Sequence, residues 1–241
     1  MTFTRQAFAA GILLLGILGC GQQSKENRSN TPDGGAVKNQ EAPADSLPGE
    51  KSEPAAEKFV LTEDNAIDFF FRYQKGLTAN KVKLTTSMGS FTIQLYDNVP
   101  YHKANFIYLA RQGYFDSTMF HRVVPNFIIQ GGNADNEQTA RKRSEIGRYL
   151  LPPDTRKGYR HDRGTISMPS SEIDNPHMLA SPYEFFIVVT RPGSYHLDGG
   201  YTPFGKVIEG MDVVDAINQV EIDDGEWPMK NIYILKAEVL E

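Results

Sequence analysis

Residues 120–132 read FHRVVPNFIIQGG, and this stretch decides the fold. Aromatic and β-branched residues, which favour strands, fill it on both sides of Pro125-Asn126, a pair typical of a turn. The pattern therefore predicts two strands joined by a short turn. Arg122 and Gln130 stand alone among the apolar residues, so a guanidinium and an amide interrupt an otherwise apolar hairpin.

Further strands are predicted on either side of this hairpin. From Lys81, apolar residues alternate with polar ones across a Met88-Gly89-Ser90 turn, which predicts another β-hairpin. Further strand-like runs lie at 119–124, 127–131, 164–168, 185–190, 204–208 and 232–239. Many short strands with frequent Gly and Pro turns favour a mainly β fold built as a closed barrel.

Three segments have helical periodicity. Pro100 opens one that runs to about Arg111, and residues 210–220 form another. The third, at 62–76 within an N-terminal amphipathic segment at 58–78, starts with Thr62 as a predicted cap. Its predicted buried face carries Ile67, Phe70 and Phe71. We expect it to pack on the outside of the barrel; a partner-binding helix is the alternative.

The composition argues against several kinds of functional site. The chain has 241 residues and a formal charge of −5, so no basic field indicates nucleic-acid binding. Its single cysteine excludes an internal disulfide and a cysteine metal cluster. The five histidines are scattered, without the spacing of a zinc site. We therefore expect no metal.

The first residues predict export. Arg5 precedes an almost wholly apolar run at 7–19, whose 13 residues fall short of the roughly 20 that a bilayer-spanning helix needs. Residues 1–19 are therefore predicted to be a signal peptide. The run ends at Cys20 in Ile-Leu-Gly-Cys (17–20), which resembles the bacterial lipobox and predicts lipidation of Cys20. The alternative is an ordinary signal peptide with an incidental cysteine.

A tether is predicted after the cysteine. Residues 21–57 hold no aromatic residue and are rich in Gly, Pro, Ser, Asn, Gln, Glu and Lys. Such a segment cannot bury enough apolar surface to offset its ordering entropy. The segment 20–57 is therefore predicted to be a lipidated cysteine followed by a disordered tether, which would hold the next domain on the order of 30 Å from the membrane.

Five blocks, in order along the chain, resemble the signature segments of the cyclophilins, a family of peptidyl-prolyl cis-trans isomerases. They are 85–110, FHRVVPNFIIQGG (120–132), GTISM (164–168), EFFIV (184–188) and LDGGYTPFGKVIEGMDVVDAI (197–217). The resemblance implies a cyclophilin-like domain at 79–241, a closed antiparallel eight-stranded β-barrel flanked by two helices, with the N-terminal helix as an addition. It also implies that the chain catalyses rotation about X–Pro bonds.

The implied reaction explains the lone arginine. Rotation needs no nucleophile, metal or cofactor, because its barrier of ~18–20 kcal/mol comes from amide resonance. Twisting the amide frees the nitrogen lone pair, so a fixed donor near that nitrogen stabilises the twisted state selectively. Arginine is always protonated and offers a rigid fork of donors. We therefore expect Arg122 to be the catalytic residue, with no cofactor.

The resemblance also implies a binding site for proline-containing peptides. Its apolar members, around the proline ring, are Phe127, Ile128, Phe186, Leu197 and Tyr201. Its polar members are Gln130, Ser170 and Glu184. Gln130 is expected to bond the substrate backbone or to steady Arg122, and the backbone of Ser170 to pair with the bound peptide. On strand pattern alone, Phe127 and Phe186 would more often be core residues.

Three positions depart from the family pattern or invite another reading. Glu184 stands where the family has Gln, and its carboxylate either pairs with Arg122 and holds it or partly quenches its field. His196 replaces the Trp that helps some cyclophilins bind cyclosporin, so we expect weak inhibitor binding. His121 is expected to pack structurally, with its side chain alternating away from Arg122.

The sequence alone leaves two functions possible. One is a monomeric, lipid-anchored isomerase of the bacterial cell envelope, facing the periplasm or at the outer membrane, acting on exported or unfolded proteins. The other is a cyclophilin-like binding or chaperone module that grips proline segments with little turnover. A hydrolase is disfavoured because no nucleophile motif accompanies the histidines.

Overall fold

The structure, a computed structural model, describes residues 59–170 and 174–241, so the predicted signal peptide, Cys20 and the tether lie outside the described residues. The helices are α1 (Ala66–Tyr73), α2 (Pro100–Arg111), α3 (Glu137–Ile146) and α4 (Met211–Asn218). The strands are β1 (Leu61–Thr62), β2 (Lys81–Thr86), β3 (Gly89–Leu95), β4 (Met119–Val124), β5 (Ile128–Asn133), β6 (Gly147–Arg148), β7 (Thr165–Ser167), β8 (Phe185–Val188), β9 (Pro203–Glu209) and β10 (Ile232–Leu240).

Eight of these strands form a closed antiparallel barrel. Its order is β10-β2-β3-β9-β7-β8-β5-β4, and β10 pairs with β4 to close it. Alternation places one face of each strand inside: on β2, Val82 and Leu84 are buried while Lys81 is exposed. The interior holds Phe91, Phe106, Phe115, Phe120, Phe185 and Phe204. The predicted mainly β barrel is confirmed.

The opening stretch forms the β4–β5 hairpin, and its double glycine has a steric cause. A Cβ on Gly131 would lie 2.9 Å from the ring of Phe120. Gly132 has φ +95°, and a Cβ there would lie 2.5 Å from the carbonyl oxygen of Tyr183. Only glycine at these two positions allows β5 to approach Phe120 and Tyr183 this closely.

The added N-terminal helix covers α2. The rings of Phe69 and Phe70 meet that of Tyr108 edge-on, at centroid distances of 5.1 and 5.9 Å. With the barrel on its other side, α2 buries most of its residues. Two expectations for this helix are wrong. Its N-cap is Asn65 rather than Thr62, and Phe71 is 48% exposed, with the Lys75 ammonium 4.3 Å from its ring centroid.

Three elements were not predicted, one helix and two short strands. Helix α3 has an almost wholly polar sequence, so no apolar stripe marks it, although Asn136 caps it by accepting a 2.8 Å hydrogen bond from the backbone N–H of Thr139. Strands β1 and β6 form a separate two-residue parallel pair, Leu61 beside Gly147 and Thr62 beside Arg148. Runs of two residues are too short to show a period in sequence.

Burial of α2 leads to an acid-stability prediction at His102. Its side chain is fully buried, and neither ring nitrogen finds a hydrogen-bond partner among the described residues. Burial lowers the pKa of His102 to about 3. Histidine titrates near 6.5 in an unfolded chain, so between those pH values the unfolded state binds a proton that the folded state does not. The free energy of unfolding should therefore fall as pH drops through that window, by up to about 1.4 kcal/mol per pH unit.

His102→Leu should remove this component of the acid dependence. At pH 7 we expect the variant to be as stable as the wild type or more so, because an unpartnered polar group is replaced by an apolar one of similar size. Urea unfolding at pH 7 and pH 4.5 measures both effects. His177→Leu, at an exposed histidine, is the control; equal acid sensitivity in wild type and His102→Leu would contradict the prediction.

Candidate active site

One row of residues across three strands builds the site. Arg122 on β4 pairs with Gln130 on β5, which pairs with Phe186 on β8. Directly paired residues project their side chains to the same face of a sheet. The opposite face of these strands carries Val123 and Ile129 into the main core. The row therefore lies on the outer face of the barrel.

Apolar residues next to this row form a small separate cluster. Ile128, Phe186 and Val188 are buried, and Val124, Phe127, Leu197 and Tyr201 pack partly exposed around them. The rings of Phe186 and Tyr201 meet edge-on at 5.5 Å. This cluster supplies an apolar floor and walls without belonging to the barrel interior.

The cluster and the row enclose a cavity of about 320 Å³. Its lining residues are Arg122, Phe127, Ile128, Gln130, Pro169, Phe186, His196, Leu197 and Tyr201. Seven of these nine were predicted as site residues. Pro169 was not, and His196 was singled out only for inhibitor binding, although its ring stacks on Phe127 at 5.3 Å. Both flank predicted residues in sequence, which is the signal that would have found them.

Arg122 lies at the rim of the cavity, held by a carboxylate that the sequence did not indicate. Its side chain is 40% exposed, and its Nε donates to Glu226 Oε2 at 2.6 Å. Among the described residues, the ion-pair partners of Glu184 are His121 and Arg143. The suggested pairing of Glu184 with Arg122 is therefore wrong.

Glu184 belongs to a polar network behind the cavity rather than to its lining. Its carboxylate accepts hydrogen bonds from Gln130 Nε2 at 3.0 Å and from Asn133 Nδ2 at 3.2 Å. Burial would raise its pKa, but His121, Gln130 and Arg143 outweigh burial and lower it. Glu184 thereby fixes the amide of Gln130, the neighbour of the catalytic candidate.

His121 departs from the expected strand alternation. The register of β4 against β5 shifts between Phe120 and Arg122, so His121 is an extra residue in a bulge. Its Nε2 lies 3.4 Å from Gln130 Nε2 and 3.4 Å from Glu184 Oε2. The prediction that its side chain points away from the face of Arg122 is wrong, while its burial agrees with a packing role.

Ser170 lies beside the cavity that Arg122 and Phe186 line and does not itself line it. It borders an adjoining cavity of about 380 Å³, which shares Pro169 and Tyr201 with the first. Its hydroxyl accepts a 2.7 Å hydrogen bond from Asn175 Nδ2, and it forms an isolated β-bridge with Ala180. The expected pairing of its backbone with a peptide stays a prediction.

A Ser-His-Asp chain, in which the Ser and the His are fully buried, lies behind the pocket floor. His161 Nδ1 lies 2.8 Å from Asp198 Oδ1, and His161 Nε2 lies 3.0 Å from Ser167 Oγ. The arrangement has the order of a hydrolase triad, but both Ser167 and His161 are 0% exposed, so no substrate reaches the hydroxyl. Burial lowers the pKa of His161 against the opposing effect of Asp198. The ring of His161 instead stacks on Phe186 at 6.2 Å.

The fold and the site together define a cyclophilin-type β-barrel. The family described as "Cyclophilin type peptidyl-prolyl cis-trans isomerase/CLD" matches residues 81–239. Peptidyl-prolyl cis-trans isomerase CYP18-2 of Arabidopsis thaliana is 35% identical over 163 residues, covering 67% of this chain and 94% of the relative. Peptidyl-prolyl cis-trans isomerase-like 1 of Emericella nidulans is 36% identical over 165 residues, covering 68% and 96%.

Solved structures agree. A cyclophilin type peptidyl-prolyl cis-trans isomerase of Cryptosporidium parvum is similar with a TM-score of 0.57 and 25% identity, over 68% of this chain and 98% of that one. The same protein solved in the presence of the dipeptide Ala-Pro gives a TM-score of 0.56 and 26% identity, over 67% and 99%. The chain therefore belongs to the cyclophilin-type peptidyl-prolyl cis-trans isomerases and is an enzyme of the isomerase class.

Proposed function

We propose that this protein accelerates rotation about X–Pro bonds by donating hydrogen bonds from Arg122 to the prolyl nitrogen. The observation that carries the proposal is the row Arg122–Gln130–Phe186, which sets a guanidinium and an amide at the edge of an apolar cavity of about 320 Å³. A proline ring is apolar, and its amide nitrogen carries no hydrogen. A site for a prolyl group therefore needs an apolar surface under the ring and a hydrogen-bond donor near the nitrogen. Phe186 supplies the apolar surface, and Arg122 supplies the donor.

Each part of the site has a distinct task in this mechanism. The proline ring rests on Phe186 and Ile128, which limit water and so strengthen the field of the nearby cation. Gln130, with its amide fixed by Glu184, bonds the peptide backbone and holds one side of the rotating bond. As the amide twists, its nitrogen becomes pyramidal and accepts from Arg122. No proton is transferred, so the acceleration comes from preferential stabilisation of the twisted state.

The competing function is a binding module with little turnover. It is favoured by the ion pair between Arg122 and Glu226, because a carboxylate 2.6 Å from Nε reduces the net field of the guanidinium. Arginine has five N–H donors, and this contact uses only the Nε–H. Donors therefore stay available for the prolyl nitrogen, which supports the enzyme.

A proline-isomer assay on a reporter peptide with an X–Pro bond separates the two functions. We expect the wild type to speed cis-to-trans exchange well above the spontaneous rate, whose time constant is tens to hundreds of seconds. Titration of a non-isomerising proline peptide, followed by fluorescence, gives the dissociation constant in parallel. Peptide binding without acceleration would establish the module.

For the cellular setting, we propose a lipid-anchored, monomeric form in the bacterial cell envelope, acting on exported or unfolded proteins. Supporting it are the apolar run at 7–19, its end at Cys20 and the polar composition of 21–57. Within residues 59–170 and 174–241, no helix is both long and apolar enough to cross a bilayer. Mass spectrometry of the N-terminus after expression in a bacterium tests the anchor; a mature chain starting elsewhere than at an acylated Cys20 would contradict it.

A further inference from the structure

The loop between α4 and β10 is hydrogen-bonded to β4, the strand that carries Arg122. The backbone N–H of Val123 donates to the carbonyl oxygen of Glu226 at 2.8 Å. The side chain of the same Glu226 accepts from Arg122 Nε at 2.6 Å. One loop residue therefore holds two successive residues of β4, one through its backbone and one through its carboxylate.

The loop is itself braced, so Glu226 is a fixed partner. Asp223 Oδ1 accepts from the backbone N–H groups of Gly225 and Trp227, both at 2.9 Å. The backbone N–H of Asp223 donates to the carbonyl of Trp227, also at 2.9 Å. Glu226 has φ +65°, a left-handed conformation that glycine adopts more easily than glutamate. Glu226 therefore adopts a backbone conformation that is uncommon for a residue with a side chain.

Stability does not account for this side chain. Arg122 and Glu226 are 40% and 37% exposed, and ion pairs at such exposure contribute little to folding because solvent screens them. Geometry gives the contact another role. A free arginine side chain samples many rotamers, and fixing it beside the prolyl nitrogen costs entropy during catalysis. Pairing at Nε orders the guanidinium beforehand and leaves its terminal amino groups for the cavity.

We propose that Glu226 is a positioning residue for the isomerase reaction: it holds the guanidinium of Arg122 in the orientation that stabilises the twisted prolyl amide. The inference rests on the proposed role of Arg122. It assigns to the Asp223–Trp227 loop a contribution to turnover that is separate from substrate binding, since Glu226 does not line the proline cavity.

The test compares three variants in the proline-isomer assay. Glu226→Ala should lower kcat about tenfold, while KM, the peptide dissociation constant and the urea unfolding midpoint stay close to wild type. Glu226→Gln keeps an oxygen acceptor for Nε without the charge, so it should recover most of the lost kcat. Asp224→Ala removes an exposed carboxylate from the same loop and should behave as wild type.

A double-mutant cycle with Arg122→Ala makes the inference decisive. If Glu226 acts through Arg122, Glu226→Ala has no further effect once Arg122 is gone. An additional loss in that background, an unchanged kcat in Glu226→Ala alone, or a faster enzyme would each overturn the inference and leave the proposed function standing. A wild-type protein without turnover, or one insensitive to Arg122→Ala, would overturn both.

Discussion

Arg122→Ala is expected to lower kcat/KM for X–Pro isomerisation about 10²–10³-fold, the cost of removing one preorganised donor from a transition state. The loss should lie in kcat, because the planar substrate amide has its nitrogen lone pair in resonance and offers the guanidinium little to bond. Peptide affinity should change less than about threefold, since the apolar floor on Phe186 and Ile128 stays intact. The proline-isomer assay and a peptide titration measure the two quantities.

Two further variants test whether the effect is specific to the guanidinium of Arg122. Arg122→Lys keeps the charge without the planar fork, so it should recover only part of the lost activity. Arg141→Ala removes an exposed arginine from α3 and should leave kcat/KM unchanged. The unfolding free energy of Arg122→Ala should fall by no more than about 1 kcal/mol, because its ion pair is half-exposed. Equal losses in peptide affinity and in kcat would show that Arg122 also binds the planar ground-state peptide, rather than stabilising the twisted amide selectively.

The barrel was predictable because its signal is local. Alternation in β2 and the strand-like runs of β4, β5 and β10 depend only on neighbours in sequence, and they placed these strands close to their observed bounds. The site residues were expected from the resemblance to the cyclophilins, and the β4–β5 register places Arg122 directly opposite Gln130, so that their side chains share a face. The pocket residue Phe186 joins them through the β5–β8 register.

What escaped prediction depends on tertiary contact. Helix α3 has no apolar stripe, and one of its anchors is Lys142, whose ammonium donates to the carbonyls of Gly113 and Asp116 at 2.7 Å each. Glu226 lies 104 residues from Arg122 along the chain, in a loop whose sequence carries no motif. Contacts of this kind have no pattern in the sequence around either partner.

The bulge at His121 shows how a single inserted residue overrides a sound local rule. Strict alternation predicts that neighbours on a strand face opposite ways. One extra residue in β4 brings His121 to the same side as Gln130 and adds it to the network around Glu184. Bulges depend on the register of two paired strands, so one strand's sequence does not reveal them.

Phe186→Ala should remove the floor of the proline pocket and weaken the fold together. Phe186 is 3% exposed and packs on Tyr201 and His161, so its truncation should cost about 3 kcal/mol of unfolding free energy. The widened cavity loses the surface that the proline ring contacts. We therefore expect KM and the peptide dissociation constant to rise at least about tenfold, since burying an apolar ring contributes about 1.5–3 kcal/mol. Urea unfolding and peptide titration separate the two effects.

The adjacent phenylalanine supplies the matched control. Phe185 precedes Phe186 on β8 but faces the barrel interior. Phe185→Leu and Phe186→Leu make the same chemical change on opposite faces of one strand, and each should cost on the order of 1 kcal/mol. Only Phe186→Leu should raise KM, because of the two rings only that of Phe186 lines the proposed proline pocket. Similar KM values for the two variants, measured where both are fully folded, would place the proline ring away from Phe186.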